Sequence, residues 1–513
     1  MADQLQTYPI TCAGGLDLSR DVLSQGANRA GSAIQLINYE PAVTGGYRRV
    51  NGFLNSYGTL PGVGRTLGVV VADSIKDGIL GCRENGTPGG SYLYAWNSTT
   101  TTWDSVTTPT LSSTAPNKVR FSKMDISATK QVTMSDGVNP AATYDGTTYT
   151  QITHANAPTT PKYNTAFQNH LFLAGDSANP TKLFFSAPLA PTDFAAANGA
   201  GVINVGFDIV AIKQFRDYLY VFGTHTIKRL SGNSSANFVL EGVTEALGCL
   251  ASDSVVEISG DLLFLSQDGI RPISGTSRIG DVELETISRN IQPVFLGLPQ
   301  SVDLDGMTSV VVHGKSQFRM FFREDETQGI LGGLRAGEQG LHFEFATLLG
   351  WNVSAAATGY IGRIEHVIHG DSNGKVHRQE LGYSFDGADV LSVYQTPFVF
   401  MENPETRKII HKASTYMRSE GATEITMGVE YDYGNNTIFN PTNYELSTLG
   451  AAAYYNEATF DSTAIFDGNP SPAQTTNLSG SGKSVSFKYV TLGTKASHSI
   501  QGIVVTYETA EMR

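Results

Sequence analysis

Residues 254–274 read SVVEISGDLLFLSQDGIRPIS. Three short runs rich in Val, Ile, Leu and Phe are separated by Gly260-Asp261 and by Gln267-Asp268-Gly269, residue types that tolerate the positive φ of a tight hairpin turn. The stretch therefore predicts three antiparallel strands in a meander. Upstream, YLYVFGTHTIKRLSG (218–232) predicts another hairpin. Downstream, TSVVVH (308–313) and SQFRMFFR (316–323) flank a Gly314-Lys315 turn, with Phe318, Met320 and Phe322 alternating with Gln317, Arg319 and Phe321. One face of that strand is apolar and the other is mixed.

A looser recurrence sets two aromatics across a polar turn: Trp96 and Trp103, Tyr144 and Tyr149, Phe345 and Trp351. Cross-strand aromatic pairs stabilise hairpins by roughly 0.2–1 kcal/mol each, so they anchor a degenerate series of small sheets. Short four-stranded units laid end to end, each burying a face on the next, predict an all-β chain with a β-propeller body of about six blades; stacked sandwiches give similar local signals. Helix is scarce, with one short piece expected around 284–297 and broken by Pro293. Three regions follow: an N-terminal entry arm (1–45), the propeller body (46–395) and a C-terminal β-sandwich-like domain (396–513), with MENPETRK (401–408) as the linker. The last region opens its texture with KASTYMRSEGATEITMGVEYDYG (412–434) and includes the tandem ATFDSTAIFDG (458–468).

The 513 residues suffice for two or three cores. Charged residues make up only 16% of the chain, and Gly, Ser, Thr, Asn and aromatics take their place, a mixture that suits strands and turns. The three cysteines, Cys12, Cys82 and Cys249, contain no CxxC pair and are expected as buried free thiols. The N-terminus has no secretory pattern, and no segment approaches a membrane span; a soluble protein assembled in the cytoplasm is expected. A net charge of −13 disfavours binding nucleic acid by phosphate neutralisation over the whole surface.

Several motifs carry possible chemistry. NLSGSGKSVSFKYVTLG (477–493) contains Gly482, Lys483 and Ser484 of a phosphate-binding loop, but Asn477 stands where its first glycine belongs. VSFKYV then alternates Val485, Phe487 and Tyr489 with Ser486 and Lys488, the period of a strand, whereas phosphate binding needs a helix N-terminus. A hairpin loop is expected. His366, His369 and His377 lie near Asp371, but His366 and His369 would point to opposite faces of a strand, so exposed hairpin histidines are expected and no metal. DSNGK (371–375) reads as a turn and lacks a calcium loop's twelfth-position acid. Carboxylate pairs for glycosidic chemistry could come from REDETQ (323–328) or from the Asp-Gly turns at Asp145, Asp268 and Asp386, yet nothing in the sequence sets their separation. No catalytic, cofactor-binding or metal residue is assigned, and no cofactor is expected. The Asn-x-Ser/Thr triplets at Asn97, Asn233 and Asn477 follow from Ser/Thr abundance.

The ordered set of segments resembles the tail nozzle (tail hub) proteins of short-tailed bacteriophages. The resemblance is carried by GLDLSRDVLSQGANRAGSAIQLINYEP (15–41) with GGYRRVNGF (45–53), by NHLFLAGDSANPTKLFFSAPLAPTDF (169–194), VAIKQFRDYLYVFGTHTIKRL (210–230) and GCLASDSVVEISGDLLFLSQDGI (248–270), and by NLSGSGKSVSFKYV with SIQGIVVTYE near the end. It implies a virion component without catalysis. Six copies would form a ring below the adaptor and portal, with a lumen that retains genomic DNA and later conducts it without specific binding. Tail fibres are a further implied partner. Such a lumen should be acidic or neutral, because a wall dense in Lys and Arg would grip phosphates. Tyr-rich AAAYYNEATF (451–460) is an interface candidate. The alternative is a carbohydrate-active or receptor-binding propeller.

Overall fold

A computed structural model describes residues 5–73, 75–84, 93–106, 118–126, 129–276, 286–296, 298, 304–322, 328–337, 340–434, 441, 443–447 and 473–510. Strands dominate, as the composition requires. Five sheets of four strands and one of three stand apart as antiparallel meanders. All but one take consecutive stretches of chain, because a two-residue turn can join only neighbouring antiparallel strands.

The 254–274 stretch folds as Val256–Ile258, Asp261–Ser266 and Gly269–Pro272, with Ile258 opposite Asp261 and Leu265 opposite Ile270. The first turn is Ser259-Gly260, both at positive φ (52° and 79°), one residue earlier than Gly260-Asp261. This is the doubly left-handed turn whose twist matches a hairpin's. Trp96 stands directly opposite Trp103 with ring centroids 5.3 Å apart, and Tyr144 directly opposite Tyr149. The third aromatic pair differs: Phe345 lies in Gly340–Leu349 and faces one core, while Trp351 follows the strand and packs with Phe53 and Phe385 in another.

The six free-standing sheets are blades in a ring. The inner strands Val63–Val71, Arg120–Ile126, Tyr163–Phe167, Ala211–Phe215 and Val256–Ile258 follow one another round the axis, and Ala355–Ile361 packs back on Val63–Val71. The sector between Val256–Ile258 and Ala355–Ile361 is filled by Thr308–Val312, Gln317–Phe321, Gln328–Gly337 and Gly340–Leu349, which form one end of a nine-stranded sheet. The chain is thus a β-propeller with an additional C-terminal β domain. The ring closes through the N-terminal side: Phe53–Leu54 pairs with Val376–Gln379 and supplies the fourth strand of the last blade.

The β domain is a sandwich. One layer is a seven-stranded sheet around Lys408–Ser419 and His498–Thr509; the other is the far part of the nine-stranded sheet, including Val390–Gln395, Val485–Gly493 and Glu424–Tyr431. Ile10, Tyr47, Ala413 and Val505 from one layer meet Leu36, Tyr394, Met427 and Phe487 from the other in a single buried cluster. Residues set aside as an entry arm supply strands to both layers, for Gln6–Thr11 pairs with His498–Thr509 and Gln35–Ile37 with Val390–Gln395. MENPETRK holds Met401 in the sandwich core and passes straight into a strand with Lys408 buried.

Among the described residues helix is confined to short pieces. A helix at Val22–Asn28, capped by the Asp21 carboxylate on the Ser24 N–H, has no counterpart in the sequence reading. Around Pro293 the chain forms a 3-10 turn at Arg289–Ile291 and one α-turn at Gln292–Phe295. There Pro293 sits in the first turn and opens the helix, where its missing N–H costs nothing.

Candidate functional site

The inner strands surround a cavity of about 510 Å³ on the propeller axis, lined by residues from every sector of the ring. Its wall carries an uneven set of charges. Asp253, in the turn Ser252–Ser254, pairs with Lys118 and Arg120, each at 3.0 Å. Arg120 also lies over the Tyr163 ring, and Asn164 donates to the Arg120 carbonyl at 2.8 Å, so adjacent blades are tied by charge and hydrogen bond together. Burial alone would raise the Asp253 carboxyl, but the two cations outweigh it and hold it at about 2.

Toward the other end the balance changes. Lys123 and Lys213 reach a recess of about 290 Å³ that opens from the cavity, together with Arg216 and Glu257. Desolvation lowers the pKa of both lysines, and Lys213 adds to the effect on Lys123. Both side chains are nonetheless exposed along the recess. Lys118, Arg120, Lys123 and Lys213 were not singled out in the sequence. The available signal was a Lys or Arg in the first strand of two meanders, as in KVRFSK (118–123) and AIKQF (211–215).

The phosphate-loop candidate is occupied by structure. Ser481–Gly482 pairs with Lys408 and Ile409, and the strand Val485–Gly493 follows where a nucleotide site needs a helix. The Lys483 and Ser484 N–H groups, which would face a phosphate, both donate to Asp432 Oδ1, at 2.8 and 2.9 Å. The Lys483 ammonium pairs with Glu405 at 2.9 Å. This loop is a tied sheet edge.

The histidines depart from expectation. His369 and His377 are buried, with rings stacked at 4.9 Å, and both pack on Phe53; the strand that closes the ring covers them. His366, half-buried, shares a hydrogen bond with the Tyr57 hydroxyl. Among the described residues no group of three or more His, Cys, Asp or Glu is arranged for a metal ion. In DSNGK, Asp371 Oδ1 accepts from the Asn373 and Lys375 N–H groups, which is a turn.

The Asp-Gly carboxylates lie apart in the fold and are engaged locally. Asp145 accepts from Thr147 and Thr148, Asp268 pairs with Arg271, and Asp386 pairs with Lys375. Residues 323–327 of the REDETQ stretch and the Tyr-rich loop at 451–460 lie outside the described residues. Asn97 and Asn233 are held in polar turns, and Asn477 lies in a strand opposite Lys412. All three cysteines are free and buried.

A propeller that runs into a sandwich through one shared sheet, with a charged axial cavity, defines the class of this protein. Residues 90–287 match the family described as bacteriophage P22 Gp10, beta-propeller. Over that stretch, short of half the chain, the protein is similar to a phage structural protein. No curated protein matches. Among solved structures, Hsv2 of Kluyveromyces lactis aligns at 8% identity and a TM-score of 0.30 over 56% of this chain and 98% of its own. BBS1N in complex with ARL6DN aligns at 11% and 0.38 over 66% and 98%. An exo-beta-1,3-galactanase from Phanerochaete chrysosporium with galactose aligns at 11% and 0.24 over 97% and 100%. Alignments this loose carry neither fold nor function across. Among the described residues no helix is long and apolar enough to cross a membrane.

Proposed function

We propose that this chain is a structural subunit of a short-tailed phage virion and, within the tail, a subunit of the ring-shaped nozzle or hub below the adaptor and portal. The observation that carries the reading is the match of residues 90–287 to the phage propeller family. The interlocked architecture supports it, since a wall that must hold pressurised DNA gains from a ring and a sandwich joined by continuous strands. In this reading six copies close a heterologous ring. Its lumen retains the genome and later conducts it, tail fibres dock from outside, and the chain performs no reaction and needs no cofactor. Subunits assemble in the host cytoplasm. The excess carboxylates turn toward the lumen, because a basic wall would bind phosphates and slow the DNA.

Mass measurement of the purified protein, alone and mixed with an adaptor ring, tests the proposal, with negative-stain images beside it. Six-membered rings, or their formation on the adaptor, are expected. A chain that stays monomeric in both conditions, or one that cleaves a glycan, overturns it.

A further inference from the structure

Lys123 and Lys213 are cations without an anion. Neither makes an ion pair among the described residues, in contrast to Lys118 and Arg120 farther along the same cavity. The Lys123 ammonium reaches toward the closing blade, where a Cβ built on Gly359 would come within 3.0 Å of it. The recess that both enter is also lined by Ser122 and Thr165, which bring hydroxyl donors, and by Arg216, already bonded to the Gly260 carbonyl at 2.7 Å. Among the described residues Glu257 is the one carboxylate of the lining, and it makes no ion pair with either ammonium. Asp73 and Asp125 act on Lys123 only through space, as Asp253 and Glu257 act on Lys213.

Two ammoniums that line one recess without an ion pair repel each other, and an anion between them removes that repulsion while taking charge-assisted hydrogen bonds from both. We propose that the recess is a binding site for a small phosphate group, free or carried on a sugar, held by Lys123 and Lys213 with Ser122 and Thr165 as further donors. A recess of about 290 Å³ has room for a ligand of that size. The site belongs to each propeller and stands whether or not the chain forms a nozzle ring.

The test is titration of the full-length protein by calorimetry with inorganic phosphate, glucose 6-phosphate and a short single-stranded oligonucleotide. Phosphate and the sugar phosphate should compete for one site per chain. Tighter binding of the sugar phosphate identifies the carried group, and equal binding the free anion. Lys213→Met and Lys123→Met should each weaken binding about tenfold or more. Lys213→Arg should retain it, and Lys495→Met, on the sandwich, should leave it unchanged. Thermal melting checks that each variant folds; should Lys213→Met fail to fold, Lys123→Met and Lys213→Arg still decide the matter. The proposal falls if the wild type shows no saturable phosphate binding, if Lys495→Met weakens binding as much, or if only the oligonucleotide binds.

Discussion

Asp253 shows how one residue can hold a propeller axis. It gathers Lys118 and Arg120 at a point where both cations are largely withdrawn from water, and without it they would face each other uncompensated. Its folded-state carboxyl, held at about 2, lies below the ordinary aspartate value of 3.8, so the unfolded chain binds its proton first. The stability it contributes is therefore complete above the unfolded value and is lost as pH falls toward 2. Asp253→Asn should cost roughly 2 kcal/mol at pH 7. In urea melts the gap from wild type should narrow below pH 4 and close as pH falls through about 2, where the native carboxyl itself takes up its proton. A gap that is constant over this range would mean that packing, and not charge, is what the carboxylate supplies. None of this was visible in the sequence, because Lys118, Arg120 and Asp253 are brought together only by blade-to-blade contact.

Among elements, the two-residue strand Phe53–Leu54 has an influence out of proportion to its length. It closes the ring by pairing with Arg378 and Gln379, and Phe53 stacks on Phe385 while meeting Trp351, His369 and His377 edge-on or tilted. Phe53→Ala should cost about 3–5 kcal/mol, the range for truncating a buried phenylalanine. Leu54, on the opposite and exposed face, should cost under about 0.5 kcal/mol on the same change. Urea midpoints of the two variants compare the faces directly, and equal losses would contradict this role for the closing strand. The meanders themselves were legible, since alternation and turn residues act within a few positions, and Trp96–Trp103 and Tyr144–Tyr149 fall in register as read. The closing strand was not, because its partners lie more than 320 positions away. The same limit explains Arg319, read on a mixed face but fully buried. Its guanidinium meets Gln317 on its own strand, but also Glu380 and Gln379, and it lies over Trp351, three partners supplied by other segments.

At the scale of the whole molecule, the nine-stranded sheet makes propeller and sandwich difficult to separate. It runs from Thr308–Val312, an inner strand of the ring, through Gln35–Ile37 to Tyr444–Ser447 at the sandwich edge. A buried group of charges braces the junction: Glu40 of the sandwich accepts from Lys315 at 2.7 Å and Gln317 at 3.0 Å, both on the ring side. The three free thiols report on this coupling, because each lies in a different core. Cys12 is in the sandwich, Cys82 in the core between the first two blades, and Cys249 in the core shared by Ala211–Phe215 and Asp261–Ser266. Burial pushes Cys12 up to about 12, Cys249 to about 11 and Cys82 well above its ordinary value, so none offers a thiolate to solvent in the native state. A disulfide reagent at pH 8 should therefore label no cysteine in the folded protein. Across a urea series all three should become reactive together, as peptide mapping of the labelled sites would reveal, because losing the shared sheet uncovers both halves at once. Labelling of Cys12 at lower urea, with Cys82 and Cys249 still protected, would mean that the propeller survives without the sandwich and that the continuous sheet does not couple them.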